Sequence, residues 1–348
     1  MTCLAPRVLF PLQEMASDPP RAAPSGAGSE LENARRLAAA GRVEAAAAAY
    51  RRFLALEPAS FEGHFELGQV LASHQRLPDA REHLAVAASL KPDNAEAHVR
   101  LAQVLLMLEQ LDGAERELVT AKSIAPKEPS VRYNLGRLYE ASKREPEALA
   151  EYLAFLEVAP DDTRANNIRS RVALYYENSE KLDAALSMYR DLLARDPGRA
   201  SAHYAVAGIR YRRAQYDEAL AGYLEVARLD PKNPSAHANI GFIHRIKGRL
   251  AEAAASYTRA VELDPSDVTS LYFLGALQSD LGDMDQAMTR FAQLVELQPG
   301  HPMVHYALGK IYLKRGDRDA AQREFELHRA IQAKERADQH TASTMEDN

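Results

Sequence analysis

PSAHANIGFIHRIKGRLAEAAASYTRAVELDP, residues 234–265, carries its apolar side chains in two runs at helical spacing. Ile240, Phe242 and Ile243 fall in the first run; Ala253, Ala254, Tyr257, Ala260, Val261 and Leu263 fall in the second. Two amphipathic helices are predicted. Asn233 can accept from the free N–H groups at the start of the first, and Pro234 suits the first turn, where a missing N–H costs nothing. Lys247-Gly248-Arg249 breaks the run, and Asp264-Pro265 ends the second helix because a residue before proline avoids the helical region. Such an antiparallel pair keeps an apolar face that it cannot bury alone, so further pairs must stack on it.

The chain repeats the phrase. Pro58, Pro92, Pro126, Pro160, Pro197, Pro231, Pro265 and Pro299 close it, 34 residues apart except for a step of 37 between Pro160 and Pro197. Midway along each first helix stands only Gly or Ala: Ala34, Gly68, Ala102, Gly136, Ala173, Ala207, Gly241, Gly275 and Gly309. Early in each second helix stands Ala, from Ala46 and Ala80 through Ala253 to Ala321. Four residues later the slot is large and apolar: Tyr50, Leu84, Leu118, Tyr152, Tyr189, Tyr223, Tyr257, Phe291 and Phe325. Small residues let two helix axes approach toward the lower end of the usual spacing of about 8–10 Å, and the bulky neighbour fills the gap beside them.

These slots resemble the tetratricopeptide repeat (TPR), whose period is the same. LGRLYE (135–140), LGKIYL (308–313) and VELDP (261–265) are similar to the family's phrases, and the resemblance spans nine repeats, residues 27–335. It implies an all-α fold, a right-handed α-solenoid of tandem antiparallel helix pairs. The bulky first-helix slot that often holds Trp in the family holds His in five repeats, repeat one has Asn33 where Leu is usual, and repeat nine lacks the closing proline. The three extra residues lie near 161–165, since the slots on either side stay in phase; they read as a longer turn, or as a division of the array into four and five repeats.

Outside the array, residues 1–26 are expected to form a disordered segment: Pro6, Arg7, Pro11 and Glu14 interrupt any targeting core. The polar stretch 336–348 is expected to fray as a disordered tail. No apolar run reaches the roughly 18 residues needed to span a bilayer. The single Cys3 excludes an intrachain disulfide framework and fits a cytoplasmic location. A net charge of −6 argues against nucleic acid as a partner, which calls for a basic stripe.

No catalytic constellation emerges, and neither a cofactor nor a metal is expected. His64, His98, His203, His237 and His305 share one slot in different repeats, about 10 Å apart by helix packing, whereas metal ligands converge within about 2 Å of one ion. Rings half-packed between repeats are the expectation. His301 and His305 are four apart, but Pro302 places the helix start between them.

A surface remains. The resemblance implies that first helices line a concave wall that takes protein ligands. On it Arg100, Asn134 and Arg171, with Gln103, Arg137 and Asn167 nearby, make a zone of paired donors suited to a carboxylate or a peptide backbone. Asn134 and Arg171 match slots of the clamp with which some members hold an acidic C-terminus, while Val99 and Asn167 depart from it. Tyr204, Tyr211, Asn239, Phe242, Tyr272, Phe273 and Tyr306 make a second, aromatic zone. A solvated face and repeat-to-repeat packing are the plainer readings of the two zones. The expected function is a non-enzymatic scaffold binding an extended peptide segment, acidic or C-terminal segments among the candidates; the alternative is the recognition subunit of an enzyme complex, such as a glycosyltransferase-associated array. The terminal repeats also suggest self-association.

Overall fold

The computed structural model describes residues 26–346, with side chains to Asp338, and all regular structure among them is helical. The expected disordered N-terminal segment lies outside the described residues except for Gly26, which opens the first helix. The chain divides into two compact units between Pro160 and Asp161, at the three-residue insertion. The first unit contains four helix pairs: α1 (Gly26–Ala39) with α2 (Val43–Leu56), α3 (Phe61–Ser73) with α4 (Leu77–Leu90), α5 (Ala95–Met107) with α6 (Leu111–Ile124), and α7 (Pro129–Ala141) with α8 (Glu145–Val158). The second contains five: α9 (Ala165–Asn178) with α10 (Leu182–Arg195), α11 (Ala200–Arg212) with α12 (Tyr216–Leu229), α13 (Pro234–Ile246) with α14 (Leu250–Leu263), α15 (Val268–Asp280) with α16 (Met284–Leu297), and α17 (Pro302–Lys314) with α18 (Arg318–Glu346). Within each unit every pair packs on the next. The fold is an all-α solenoid of TPR type.

Local chemistry sets the ends. The Asn233 side chain accepts from Ala236 N–H at 2.9 Å, and Asn94 and Ser60 cap α5 and α3 in the same way. At the turn inside repeat seven, Gly248 N–H bonds Arg245 C=O at 3.0 Å and Arg249 N–H bonds His244 C=O at 2.9 Å, the paired pattern of a Schellman stop. Gly248 has φ +70° there, and every repeat puts one residue in this left-handed region. In five repeats it is not glycine: Gln75, Glu109, Lys143, Glu180 and Ala214.

The small and large slots meet as their volumes require. A Cβ on Gly275 would lie 2.7 Å from the Phe291 ring, and one on Gly309 would lie 2.6 Å from the Phe325 ring. Gly68 faces Leu84, Gly136 faces Tyr152, and Gly241 faces Tyr257 within their own repeats. Tyr257, Leu271, Leu274, Phe291, Val304 and Ile311 form one core through repeats seven to nine. Burying each such side chain stabilises the fold by about 1.5–3 kcal/mol.

In the insertion, Asp162 accepts from the backbone N–H and side chain of Arg164, each at 2.8 Å. The Arg164 side chain holds the Asp162 carboxyl down at about 2. The longer turn is thereby closed on itself and α9 starts in phase. At the other end α18 runs on to Glu346, through most of the stretch expected to fray. No glycine or proline follows Gly316, so nothing stops the helix.

Candidate functional site

In four of the five repeats with a histidine in the shared slot, the ring reaches back to the preceding turn, while in the fifth His237 Nε2 has no partner. His98 Nε2 lies 3.1 Å from the Pro92 carbonyl and its Nδ1 lies 2.6 Å from Glu117. His305 repeats this with the Pro299 carbonyl at 3.1 Å and Glu324 at 2.8 Å. Arg132 does the same work in repeat four, donating to the Pro126 carbonyl at 2.9 Å and to Glu151 at 2.7 Å. A side chain six residues after the proline thus ties the inter-repeat turn to a carboxylate nineteen residues on. His203 keeps only the Pro197 carbonyl, at 2.9 Å; Gly222 stands where the carboxylate would be. Half-packed rings were expected; His64, His203 and His237 are half-buried, while His98 and His305 are buried and bonded at both nitrogens. The recurring Pro at −6 and acid at +19 were the available signal. In repeat two the acid is replaced by His83, whose Nδ1 lies 3.0 Å from Nδ1 of His64. Burial and the neighbouring His64 lower the affinity of His83 for a proton.

The polar zone is shared between the two units. In the first, Arg100 is exposed and bonds Glu96 at 3.2 Å and Gln103 at 3.4 Å. Gln103 in turn donates to Asn134 at 3.4 Å. Asn134 is fully buried, and its amide donates to the Ser130 carbonyl at 2.7 Å, so its hydrogen-bonding groups are spent inside the repeat stack. Arg137 is exposed and lies over the Tyr133 ring at 5.9 Å. Arg100 and Gln103 line a cavity of about 320 Å³ with Gln69, Ser73, Val104 and Met107. In the second unit Asn167 accepts from Arg199 at 2.9 Å, and Arg171 is exposed.

The aromatic zone lies wholly in the second unit and is built by α11, α13, α15 and α17. Tyr211 meets Phe242 edge-on at 5.7 Å, Phe242 meets Phe273 at 6.0 Å, and Phe273 meets Tyr272 at 5.5 Å. Such edge-to-face contacts hold the rings rigid, each worth about 0.5–1.5 kcal/mol beyond its area. Asn239 donates to the Tyr204 hydroxyl at 2.9 Å. Tyr306 is 42% exposed and packs on Phe325 at 5.8 Å. Between Tyr272 and Tyr306 opens a cavity of about 220 Å³, also lined by Met303, Asp280, Lys310 and Lys314. Sequence reading missed Arg245, whose guanidinium lies 4.9 Å from the Phe242 ring centre and 4.5 Å from that of Phe273. Its slot precedes a break, one turn after Phe242, and a row read at that spacing would have included it.

The arrangement offers rings, amides and cations, and is suited to holding a ligand. Among the described residues no three His, Cys, Asp or Glu side chains converge as metal ligands, and no helix is long and apolar enough to cross a membrane. His301 precedes α17 without a side-chain cap bond and packs on the Tyr272 ring at 5.3 Å, while His305 turns to Glu324, so the two part as Pro302 implied.

The sequence matches models of the tetratricopeptide repeat family over residues 31–95, 170–234 and 209–268, and over 72–132, 245–311 and 280–344. The protein belongs to the tetratricopeptide repeat family. Members of this family are protein–protein interaction scaffolds that bind protein or peptide partners. Among solved structures, the C-terminal part of a TPR repeat-containing protein from Cytophaga hutchinsonii is similar at a TM-score of 0.60 and 16% identity, over 70% of this chain and 99% of that one. A tetratricopeptide repeat protein from Parabacteroides merdae aligns at a TM-score of 0.46 and 19% identity, over 68% and 93%. YrrB, described as a TPR protein with an unusual peptide-binding site, aligns at 0.48 and 23% identity, over 55% and 98%. No curated protein matches the sequence significantly.

Proposed function

We propose that the chain is a non-catalytic scaffold that holds an extended segment of a partner protein against the first-helix face of repeats six to nine. The observation that carries this is the run of mutually packed rings from Tyr211 to Tyr272, continued by the exposed Tyr306 across a cavity. A fixed ring presents apolar area at small entropic cost and leaves a phenolic tip for hydrogen bonding, the composition of a binding hot spot. The cavity at Arg100 and Gln103 is a second contact surface, in the first unit.

Selection of a random peptide library on the full chain tests the reading. Tyr306→Ala removes a ring that is largely outside the core, so the fold should survive. Selected peptides are expected to lose at least about tenfold in affinity, equivalent to about 1.4 kcal/mol. Equal affinity for the variant, with an unchanged melting curve, would contradict it.

A further inference from the structure

We infer that the occupant of repeats seven to nine is an acidic segment, with carboxylates on both sides of one large apolar side chain. This rests on reading the same face as the peptide-binding surface. Arg245, Lys310 and Lys314 carry it. Several cations near the repeat turns of the second unit are paired: Arg213 with Asp183 at 2.9 Å, and Lys247 with Asp217, Arg212 with Glu180 and Arg315 with Asp285 are all in contact. Among the described residues, no carboxylate lies within ion-pair distance of Arg245, Lys310 or Lys314.

Their settings differ from that of a solvated face. Arg245 is half-buried between the Phe242 and Phe273 rings, and its Nε has no acceptor. A guanidinium fixed between rings loses little freedom when it binds and presents its remaining N–H groups as a fork to a carboxylate. The Tyr257 hydroxyl is buried beside Arg245, and burial pushes this phenol up to about 12, with the neighbouring guanidinium opposing the rise. At the far end Lys310 lies over the Tyr306 ring at 5.8 Å. Lys310 and Lys314 line the cavity of about 220 Å³, whose apolar wall is Tyr272, Phe291, Met303 and Tyr306. That space admits one large aliphatic or aromatic side chain.

Ring contacts connect the two ends, from Arg245 through Phe273 and Tyr272 to the cavity. Two lysines line the cavity with a single acid, Asp280, and Arg245 adds a third cation at the other end of the ring contacts, in a protein whose net charge is −6. The basic character is local, which favours a carboxylate-bearing peptide over a polyanion that needs a long basic stripe.

Fluorescence anisotropy on the full chain provides the test, with a labelled peptide of a central leucine between glutamate pairs. The matched peptide with lysine for glutamate and a single-stranded thymidine oligonucleotide are the comparisons. The glutamate peptide should bind alone, weaken as salt is raised, and weaken when serine replaces its leucine. It should lose at least about tenfold in affinity on Arg245→Gln and on the exposed double change Lys310→Glu with Lys314→Glu. Equal binding of the lysine peptide, preferential binding of the oligonucleotide, indifference to all three substitutions, or no binding of any probe would overturn the inference. If library-selected peptides still depend on Tyr306 but are not acidic, the inference falls and the peptide-binding function stands.

Discussion

Gly275 and Gly208 are both helical glycines, yet replacing each with alanine should move stability in opposite directions. At Gly275 the new methyl would lie 2.7 Å from a Phe291 ring that is wholly buried and has no room to retreat. Overpacking of about 1–3 kcal/mol exceeds the gain of about 1 kcal/mol in helix propensity, so thermal melting of Gly275→Ala should show a loss. Beside Gly208 the nearest atom is the Tyr223 hydroxyl at 3.7 Å, and Gly208→Ala should stabilise by about 0.5–1 kcal/mol. The His64–His83 contact makes a pH prediction. One Nδ1 must donate and the other accept, so the contact cannot hold a proton on both facing nitrogens. Because the folded state lowers the proton affinity of His83, its contribution is complete above the ordinary value of 6.5 and is lost as pH falls below it. His83→Glu recreates the pairing seen at Glu117 and Glu324. In melts between pH 7 and pH 5 it should remove that loss and add about 0.5 kcal/mol at the acid end. Side-chain volume made the Gly275 contact legible in sequence. The histidine ties to the preceding turn were marked only by the recurring Pro at −6 and acid at +19, because the bond itself goes to a carbonyl, which every residue type supplies.

The turn inside each repeat is the element that sequence half revealed. Gly41, Gly248, Gly282 and Gly316 mark it openly, and they occupy the left-handed position. Gln75, Glu109, Lys143, Glu180 and Ala214 adopt it with no such mark. In these the conformation is fixed by the helices on either side and by two closing hydrogen bonds, as Gln215 N–H to Arg210 C=O at 2.9 Å and Ala214 N–H to Tyr211 C=O at 2.8 Å show. The left-handed region costs an L-residue about 1–2 kcal/mol, and glycine returns about 0.5–1 kcal/mol of that as unfolded-state entropy. Ala214→Gly should therefore stabilise repeat six by about 0.5–1 kcal/mol, and Gly248→Ala should destabilise repeat seven, both readable in denaturant melts. No change in either would mean that the turn is not held where the hydrogen bonds put it. The C-terminal element shows the converse: loss of the repeat pattern suggested an end at 335, yet α18 continues to Glu346.

For the whole molecule, the nine-fold phrase made the solenoid legible, because a proline stop and a small–large pair recur in step. The proposed binding face is legible in part: its aromatic row follows from one position per repeat, while the packing of Phe242, Tyr272 and Phe273 against the core needed the structure. The zone of Arg100, Asn134 and Arg171 was not resolved by spacing alone. Asn134 turns inward to Ser130, and the chain divides into two units between the residues of that zone. Arg245 escaped because its partners are rings and not acids. The central claim is that the first helices of the second unit, and not the second helices, carry the ligand. Hydrogen–deuterium exchange of the full chain, with and without a saturating library-selected peptide, tests it directly. Protection should concentrate in α11, α13, α15 and α17. Protection confined to α12, α14 and α16, or none in the second unit, would contradict the account.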